Sequence, residues 1–433
     1  MNFLKTLSLC LFFFVADLLH AESRSQFKFA DVTQPDFFPI LAWDACRGWD
    51  GKSRDFEING LESIADCRFN IAGFVPPRDL PRCRKLGLGA IVVPENHDFK
   101  KFEFFKQWKK FSDEEIDRLI KETVASTHKN AAVVGYFITD EPNVSEFPAL
   151  AKAVAAVKKY APGKLAYINL YPDYATIGSP EMSQLGTSNY TEYLERFVTE
   201  VKPQAISYDN YMVPFSDDLK NRNKISSYFQ NLLEVRRVAI KYNLPCLNIV
   251  CANQIRPYAT IPTPANLSLQ AYTTLAGGYR GVSWYTYYSR GYKYAAIDDA
   301  GRKSPVWPYL AEVNRQIATL APAMSQLLST GVYFSEPPIV EKLPALPGEL
   351  VKSVTSTTPL MIGEFKHRNG GRYVMLVNLS LETSGKFQIQ PTLENQTLQM
   401  ISSVDGGSTA FNLKKDYWLM PGQGLLLKFS ASK

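Results

Sequence analysis

The stretch Ala-Val-Val-Gly-Tyr-Phe-Ile-Thr-Asp-Glu-Pro, at positions 132–142, decides the predicted fold. Its first seven residues are apolar and rich in strand-forming side chains, so they predict a buried β-strand. The strand then stops on Asp140, Glu141 and Pro142. A buried strand that ends in this way fixes two carboxylates at the edge of a sheet, where a loop begins. The other strand ends decide whether these acids belong to a site.

Short apolar segments of the same kind recur along the chain, with helical patterns between most of them. Ser112 with Glu115 forms a capping box, and Thr263 is an N-cap followed by Pro264 at the first helical position. Eight strands that alternate with helices predict an α/β fold, a (β/α)8 TIM barrel. A doubly wound open sheet is the rival architecture, but the first turn lacks its glycine-rich motif. The eight candidates are residues 39–43, 69–75, 88–93, 132–138, 165–170, 205–208, 245–251 and 281–287.

The pattern changes near residue 335. Several prolines mark a linker between 337 and 347, and alternating strands such as 372–379 and 424–429 follow, separated by glycine turns. This pattern predicts a small C-terminal antiparallel β-sandwich. The predicted organisation is therefore a leader at 1–21, a barrel domain at 22–335 and a sandwich at 336–433.

The first 21 residues are typical of a secretory signal, with Lys5, an apolar run at 7–16 and a small-residue cleavage site ending at Ala21. We therefore expect a secreted or periplasmic protein. No other apolar run is long enough for a transmembrane segment. The net charge is +6, but the basic residues do not cluster into a stripe, which disfavours nucleic acid as a partner.

The cysteines fit no metal or redox motif. Five remain after the predicted leader, and their spacing, together with only four histidines in the chain, predicts neither a metal site nor a cofactor. Cys67 and Cys83 are the first pair to test for a disulfide.

The C-terminal ends of the predicted strands share one chemistry. Carboxylates, amides and aromatic rings recur there, and such ends meet on one face of a barrel. Amides and carboxylates hold sugar hydroxyls, and Trp and Tyr rings stack on sugar C–H faces. The sequence therefore predicts a carbohydrate substrate. The candidate residues are Trp43, Asp44, His97, Asp140, Glu141, Asn169, Tyr171, Tyr208, Asp209, Tyr211, Asn253, Trp284 and Tyr287.

With a Glu-Pro at the end of strand 4, an aromatic strand 8 and a C-terminal β domain, the chain resembles the clan A glycoside hydrolases. Within them it is most similar to the family 42 β-galactosidase relatives, over roughly residues 38–328. In that clan the strand-4 motif is usually Asn-Glu-Pro, and its Glu is the general acid/base. The resemblance implies this role for Glu141, with Asp140 in place of the usual Asn, and hydrolysis of O-glycosidic bonds in oligo- or polysaccharides.

One departure from the clan leaves the mechanism open. The clan's nucleophile is a Glu at the end of strand 7, but here no acid lies between Glu234 and Asp298. In a first alternative Asp209 is the general base of an inverting reaction. In a second, Asp140 orients a substrate acetamide that itself attacks, while Glu141 donates the proton. In a third, the protein binds sugar without hydrolysis. Glu95 is a fallback second carboxylate.

Overall fold

The structure is a computed structural model that describes residues 37–43, 60–94, 105–394 and 396–431. Several residues for which the sequence makes predictions lie outside the described residues. They are the signal segment and the candidate site residues Asp44 and His97, together with Glu95.

Eight parallel strands pair in chain order and close into a barrel, because β1 bonds to both β2 and β8. This confirms the predicted (β/α)8 fold. The strands are β1 Ile40–Ala42, β2 Ile71–Val75, β3 Gly89–Val92, β4 Val133–Asp140, β5 Leu165–Leu170, β6 Ile206–Asp209, β7 Cys246–Cys251 and β8 Val282–Tyr285.

Nine α-helices are described, most of them between barrel strands. The two capping motifs expected from the sequence are present, at Ser112 and Thr263. A π-helical turn, Phe197–Val201, extends the fifth helix. The helices are α1 Leu61–Asp66, α2 Leu80–Lys85, α3 Asp113–Ala125, α4 Phe147–Tyr160, α5 Tyr190–Arg196, α6 Met212–Phe215, α7 Arg222–Lys241, α8 Pro264–Ala276 and α9 Val306–Met324.

The barrel strands separate two apolar layers. Side chains such as Leu41, Phe137 and Ile249 fill the interior of the barrel. Side chains such as Ile138 and Val250, one residue further along two of these strands, pack outward against the helices. Because successive strand residues face opposite sides, this alternation decides which strand-end residues can reach a site in the barrel mouth.

The C-terminal region is an antiparallel β-sandwich with its own core, as predicted. One sheet has the order β15-β14-β17-β12-β11-β9 and the other β10-β13-β16. The six-stranded sheet begins upstream of residue 335, because α9 ends at Met324 and β9 follows almost at once. The strands are β9 Leu327–Phe334, β10 Val351–Ser356, β11 Leu360–His367, β12 Arg372–Asn378, β13 Gly385–Pro391, β14 Gln396–Ile401, β15 Ser408–Phe411, β16 Tyr417–Leu419 and β17 Gly424–Ala431.

The four described cysteines, Cys67, Cys83, Cys246 and Cys251, are buried free thiols. The suggested Cys67–Cys83 disulfide is therefore wrong. Both residues lie in the apolar layer outside the barrel, where burial raises the pKa of the Cys83 thiol to about 12. In the part of the chain that the structure describes, no helix is long and apolar enough to cross a membrane.

Candidate active site

A β-bulge in β4 turns Asp140 toward the barrel mouth. Phe137 pairs with Tyr167, and Asp140 pairs with Asn169. Between these two pairs β4 therefore contains one more residue than β5. Phe137 faces the barrel interior, and strict alternation would direct Thr139 inward as well. The extra residue instead brings Asp140 to the inner face. Bulges are common beside active sites because they re-aim a side chain in this way.

Asn169 joins the carboxylates of two strands. Its Nδ2 donates to Asp140 Oδ1 at 3.1 Å and to Asp209 Oδ1 at 2.8 Å. Because both oxygens accept from one nitrogen, they lie no more than about 6 Å apart. The ends of β4, β5 and β6 therefore form one polar cluster.

A hydroxyl relay holds the Asn169 amide in this orientation. Ser207 Oγ donates to Asn169 Oδ1 at 3.1 Å, and the Tyr167 hydroxyl lies 3.0 Å from Ser207 Oγ. All three side chains are buried. Since Oδ1 is engaged by a donor, the Asn169 NH2 group must face the two acids, which fixes which end of the amide they meet.

Asp209 is the buried member of the acid pair, with 3% of its surface exposed. Burial, followed by the negative charge of Asp140, raises the pKa of Asp209 to about 8. Hydrogen bonds from Asn169 and Tyr211 act in the opposite direction and are weaker. Near neutral pH the Asp140–Asp209 pair therefore retains a proton.

Glu141 lies beside this pair, in a constrained backbone conformation. Its φ is 49°, in the left-handed region, and its N–H donates to the carbonyl of Asn169 at 2.9 Å. The following residue is held as well, because the Tyr193 hydroxyl donates to the Pro142 carbonyl at 2.8 Å. Non-glycine residues in such conformations concentrate at functional sites.

Tyrosines border the acids. Burial, followed by the charges of Glu141 and Asp140, raises the pKa of Tyr171 to about 12. Tyr211 stacks on Tyr285 with ring centroids 5.4 Å apart. The sequence missed Tyr174, whose hydroxyl accepts from the Tyr211 N–H at 3.5 Å and whose side chain is 41% exposed. Its position four residues after β5 was the available signal.

Trp43 lies below this cluster rather than at its rim. Its ring is buried among Phe74, Phe137 and Tyr167, with centroid separations of 4.7, 5.7 and 5.3 Å. The ring therefore closes the interior of the barrel beneath the acids.

Three aromatic candidates face away from the mouth. Tyr208 meets the Tyr279 hydroxyl at 3.3 Å, and Trp284 Nε1 donates to Asn314 Oδ1 of α9 at 2.8 Å. The Tyr287 hydroxyl accepts from Trp307 Nε1 at 2.9 Å. All three side chains are buried in the layer between the barrel and the helices, so the structure does not bring them to the acid cluster.

The end of β7 carries amide and thiol groups. Asn253 is buried, and its Nδ2 donates to Thr286 Oγ1 at 3.1 Å. Cys251 pairs with Tyr285 across the strands, and burial raises the pKa of its thiol to about 12. A buried thiol whose pKa is raised in this way is a poor nucleophile.

The chain matches no family model and no curated protein sequence. Solved structures do match over nearly its whole length. A glycoside hydrolase covers 92% of this chain and 93% of its own, with a TM-score of 0.53 and 11% identity. A glycoside hydrolase family 5 protein from Bacteroides vulgatus covers 91% and 90%, with a TM-score of 0.56 and 11% identity. The shared property is the fold. Neither match singles out family 42, the finer likeness expected from the motifs.

Proposed function

We propose that this protein is an O-glycoside hydrolase in which Glu141 is the general acid. The observation that carries the proposal is the Asn169 bridge, which joins Asp140 to Asp209 beside Glu141 at the ends of three adjacent strands. Glycosidic cleavage requires a proton donor for the leaving oxygen and a second carboxylate close by. The tyrosines around these acids supply faces on which a sugar ring can stack.

The burial of Asp209 argues against its role as the inverting base. An inverting reaction needs room for a water between carboxyl groups about 6.5–9.5 Å apart. Asp209 is almost fully covered, and its carboxylate is engaged by Asn169 and Tyr211. It is better suited to hold a proton behind Asp140 than to activate a water.

These contacts favour the substrate-assisted alternative, and with it a 2-acetamido sugar as substrate. Glu141 would protonate the glycosidic oxygen while the acetamide carbonyl oxygen of the substrate attacks the anomeric carbon. Asp140 would accept a hydrogen bond from the acetamide N–H and stabilise the resulting oxazolinium ion. Water, deprotonated by Glu141, would then open this ring with net retention. None of these reaction steps needs an acidic residue on β7.

A screen of aryl glycosides, with and without a 2-acetamido group, tests the proposal. We expect turnover of the acetamido substrates, and product anomers followed by NMR should show retention. Inversion would restore Asp209 as base. Turnover of sugars without the acetamide, through a trapped adduct on a carboxylate such as Glu95, would contradict substrate assistance. Binding without turnover on every substrate would favour a carbohydrate-binding protein instead.

A further inference from the structure

We propose that Asn231 is a positioning residue of the candidate site, because its side-chain oxygen holds the loops after β5 and β6 in one arrangement. The inference rests on the proposed function for its catalytic meaning. Asn231 lies on α7, is 1% exposed and touches none of the three acids in the described contacts. It would act on the site through these two loops and through Tyr190, whose hydroxyl also hydrogen-bonds Asn231.

One oxygen receives a donor from each loop. Asn231 Oδ1 accepts from the Asp173 N–H at 3.2 Å and from Asn210 Nδ2 at 2.9 Å. Asn210 is fully buried, and its own Oδ1 accepts from the Met212 N–H at 2.9 Å. The amide pair therefore ties a strand end to the helix behind it.

A second contact from the same helix fixes the first loop. Ser227 precedes Asn231 by one turn, and its Oγ donates to the Asp173 carboxylate at 2.8 Å. Residues four apart share a face of a helix, so Ser227 and Asn231 hold the backbone and the side chain of Asp173 together.

Both tied residues adjoin site residues in the chain. Asp173 directly precedes Tyr174, and Asn210 lies between Asp209 and Tyr211. The loops also meet each other where the Tyr211 N–H donates to the Tyr174 hydroxyl. If the shared acceptor is lost, the buried Asn210 amide and the half-buried Asp173 N–H both lose their partner, and the loops must move or admit water to satisfy them. The cover over Asp209 would then loosen.

The titration midpoint of the Asp209 carboxyl reports how well these loops shield it from water. We would follow its ¹³C signal against pH in the full-length protein and assign it by its absence in Asp209→Asn. In Asn231→Leu, which keeps the volume but removes the acceptor, the midpoint should fall toward the ordinary aspartate value of about 4. Asn231→Asp keeps an acceptor oxygen, so its midpoint should stay raised. The titratable groups that face Asp209 are Asp140, Tyr167, Tyr174, Tyr190 and Tyr211.

Asn314→Leu is the matched control. Asn314 is an equally buried asparagine on α9, and it bonds Trp284 and the Cys67 carbonyl away from these loops. It should lose stability without moving the Asp209 midpoint. An unchanged midpoint in Asn231→Leu, or an equal shift in both variants, overturns the proposal. If Asn231→Leu does not fold, Asn231→Ser decides in its place, and an unchanged midpoint there has the same meaning.

Turnover separates this proposal from the proposed function. On a glycoside that the wild type cleaves, Asn231→Leu should lower kcat about tenfold or more, and Asn314→Leu should leave kcat near the wild-type value below its unfolding temperature. If no glycoside is cleaved, the proposed function fails. The Asp209 titration still decides whether Asn231 positions these loops.

Discussion

Asp140 and Asp209 accept hydrogen bonds from the same nitrogen, Nδ2 of Asn169, although they lie on strands that are not neighbours in the barrel. One neutral donor group thus separates two acids that would repel each other if both were ionised. The arrangement tolerates this pair because one proton stays with it near neutral pH. The consequences can be measured without knowing the sugar.

The first prediction concerns the pH dependence of stability. The pKa of Asp209 is raised in the folded state, so between about pH 4 and pH 8 the folded protein holds a proton that the unfolded chain has released. Its contribution to stability therefore falls as the pH rises, by at most ~1.4 kcal/mol per pH unit for one proton. In urea unfolding, the free energy of unfolding of Asp209→Asn should rise relative to that of the wild type from pH 5 to pH 8.

Asp298→Asn is the control for that measurement. Hydrogen bonds from Arg302 lower the pKa of this loop carboxyl and outweigh the opposite effect of burial. A lowered pKa affects stability only as the pH falls toward it, so the difference from wild type should stay flat from pH 5 to pH 8. A flat difference for Asp209→Asn as well would contradict a shared proton.

The second prediction concerns the bridging amide. Asn169→Leu removes the donor of two carboxylates and should lower the free energy of unfolding by about 3 kcal/mol, since hydrogen bonds to charged groups are the stronger ones. The loss should be larger at pH 8 than at pH 5, because repulsion between Asp140 and Asp209 grows as they ionise. Ser207→Ala removes only the hydroxyl behind the amide and should cost about 1 kcal/mol. Equal losses at both pH values would contradict the account.

The third prediction concerns Glu141 as the general acid. Glu141→Gln should lower turnover by about 10²- to 10⁴-fold on substrates with poor leaving groups. On activated aryl glycosides the loss should be much smaller, because the leaving oxygen needs little protonation. Steady-state rates on a leaving-group series measure this. Glu181→Gln, an exposed acid in the loop after β5, should leave the series unchanged. Equal loss on all substrates would remove the acid role.

The fourth prediction separates packing aromatics from site aromatics. Trp284→Phe removes the donor to Asn314 in the outer layer and should lower the free energy of unfolding by about 1–3 kcal/mol. Sugar affinity, measured by calorimetry on the screened ligand, should not change. Tyr211→Phe removes a hydroxyl that bonds Asp209, so it should change the titration of that carboxyl. A loss of affinity in Trp284→Phe would return Trp284 to the site.

The sequence alone determined the barrel and the sandwich. Eight apolar segments with helical spacers leave few alternatives to a closed parallel sheet, and caps such as Ser112 mark their helices locally. It also placed Asp140, Glu141, Asn169 and Asp209 together as candidates, since polar residues directly after buried strands must lie at the same face of a barrel. These inferences need only local pattern and a general rule of topology.

Only the tertiary structure decided which way each side chain points. The bulge at Phe137 and Thr139 depends on the register against β5, a non-local property, and it is this bulge that turns Asp140 inward. Likewise, because successive residues alternate, Tyr208 must face the helices once Asp209 faces the barrel interior. Which residues of each strand face the interior is set by packing across the barrel. The sequence predicted which polar residues lie at the ends of the strands, and the pairing of distant strands decided which of them are in contact.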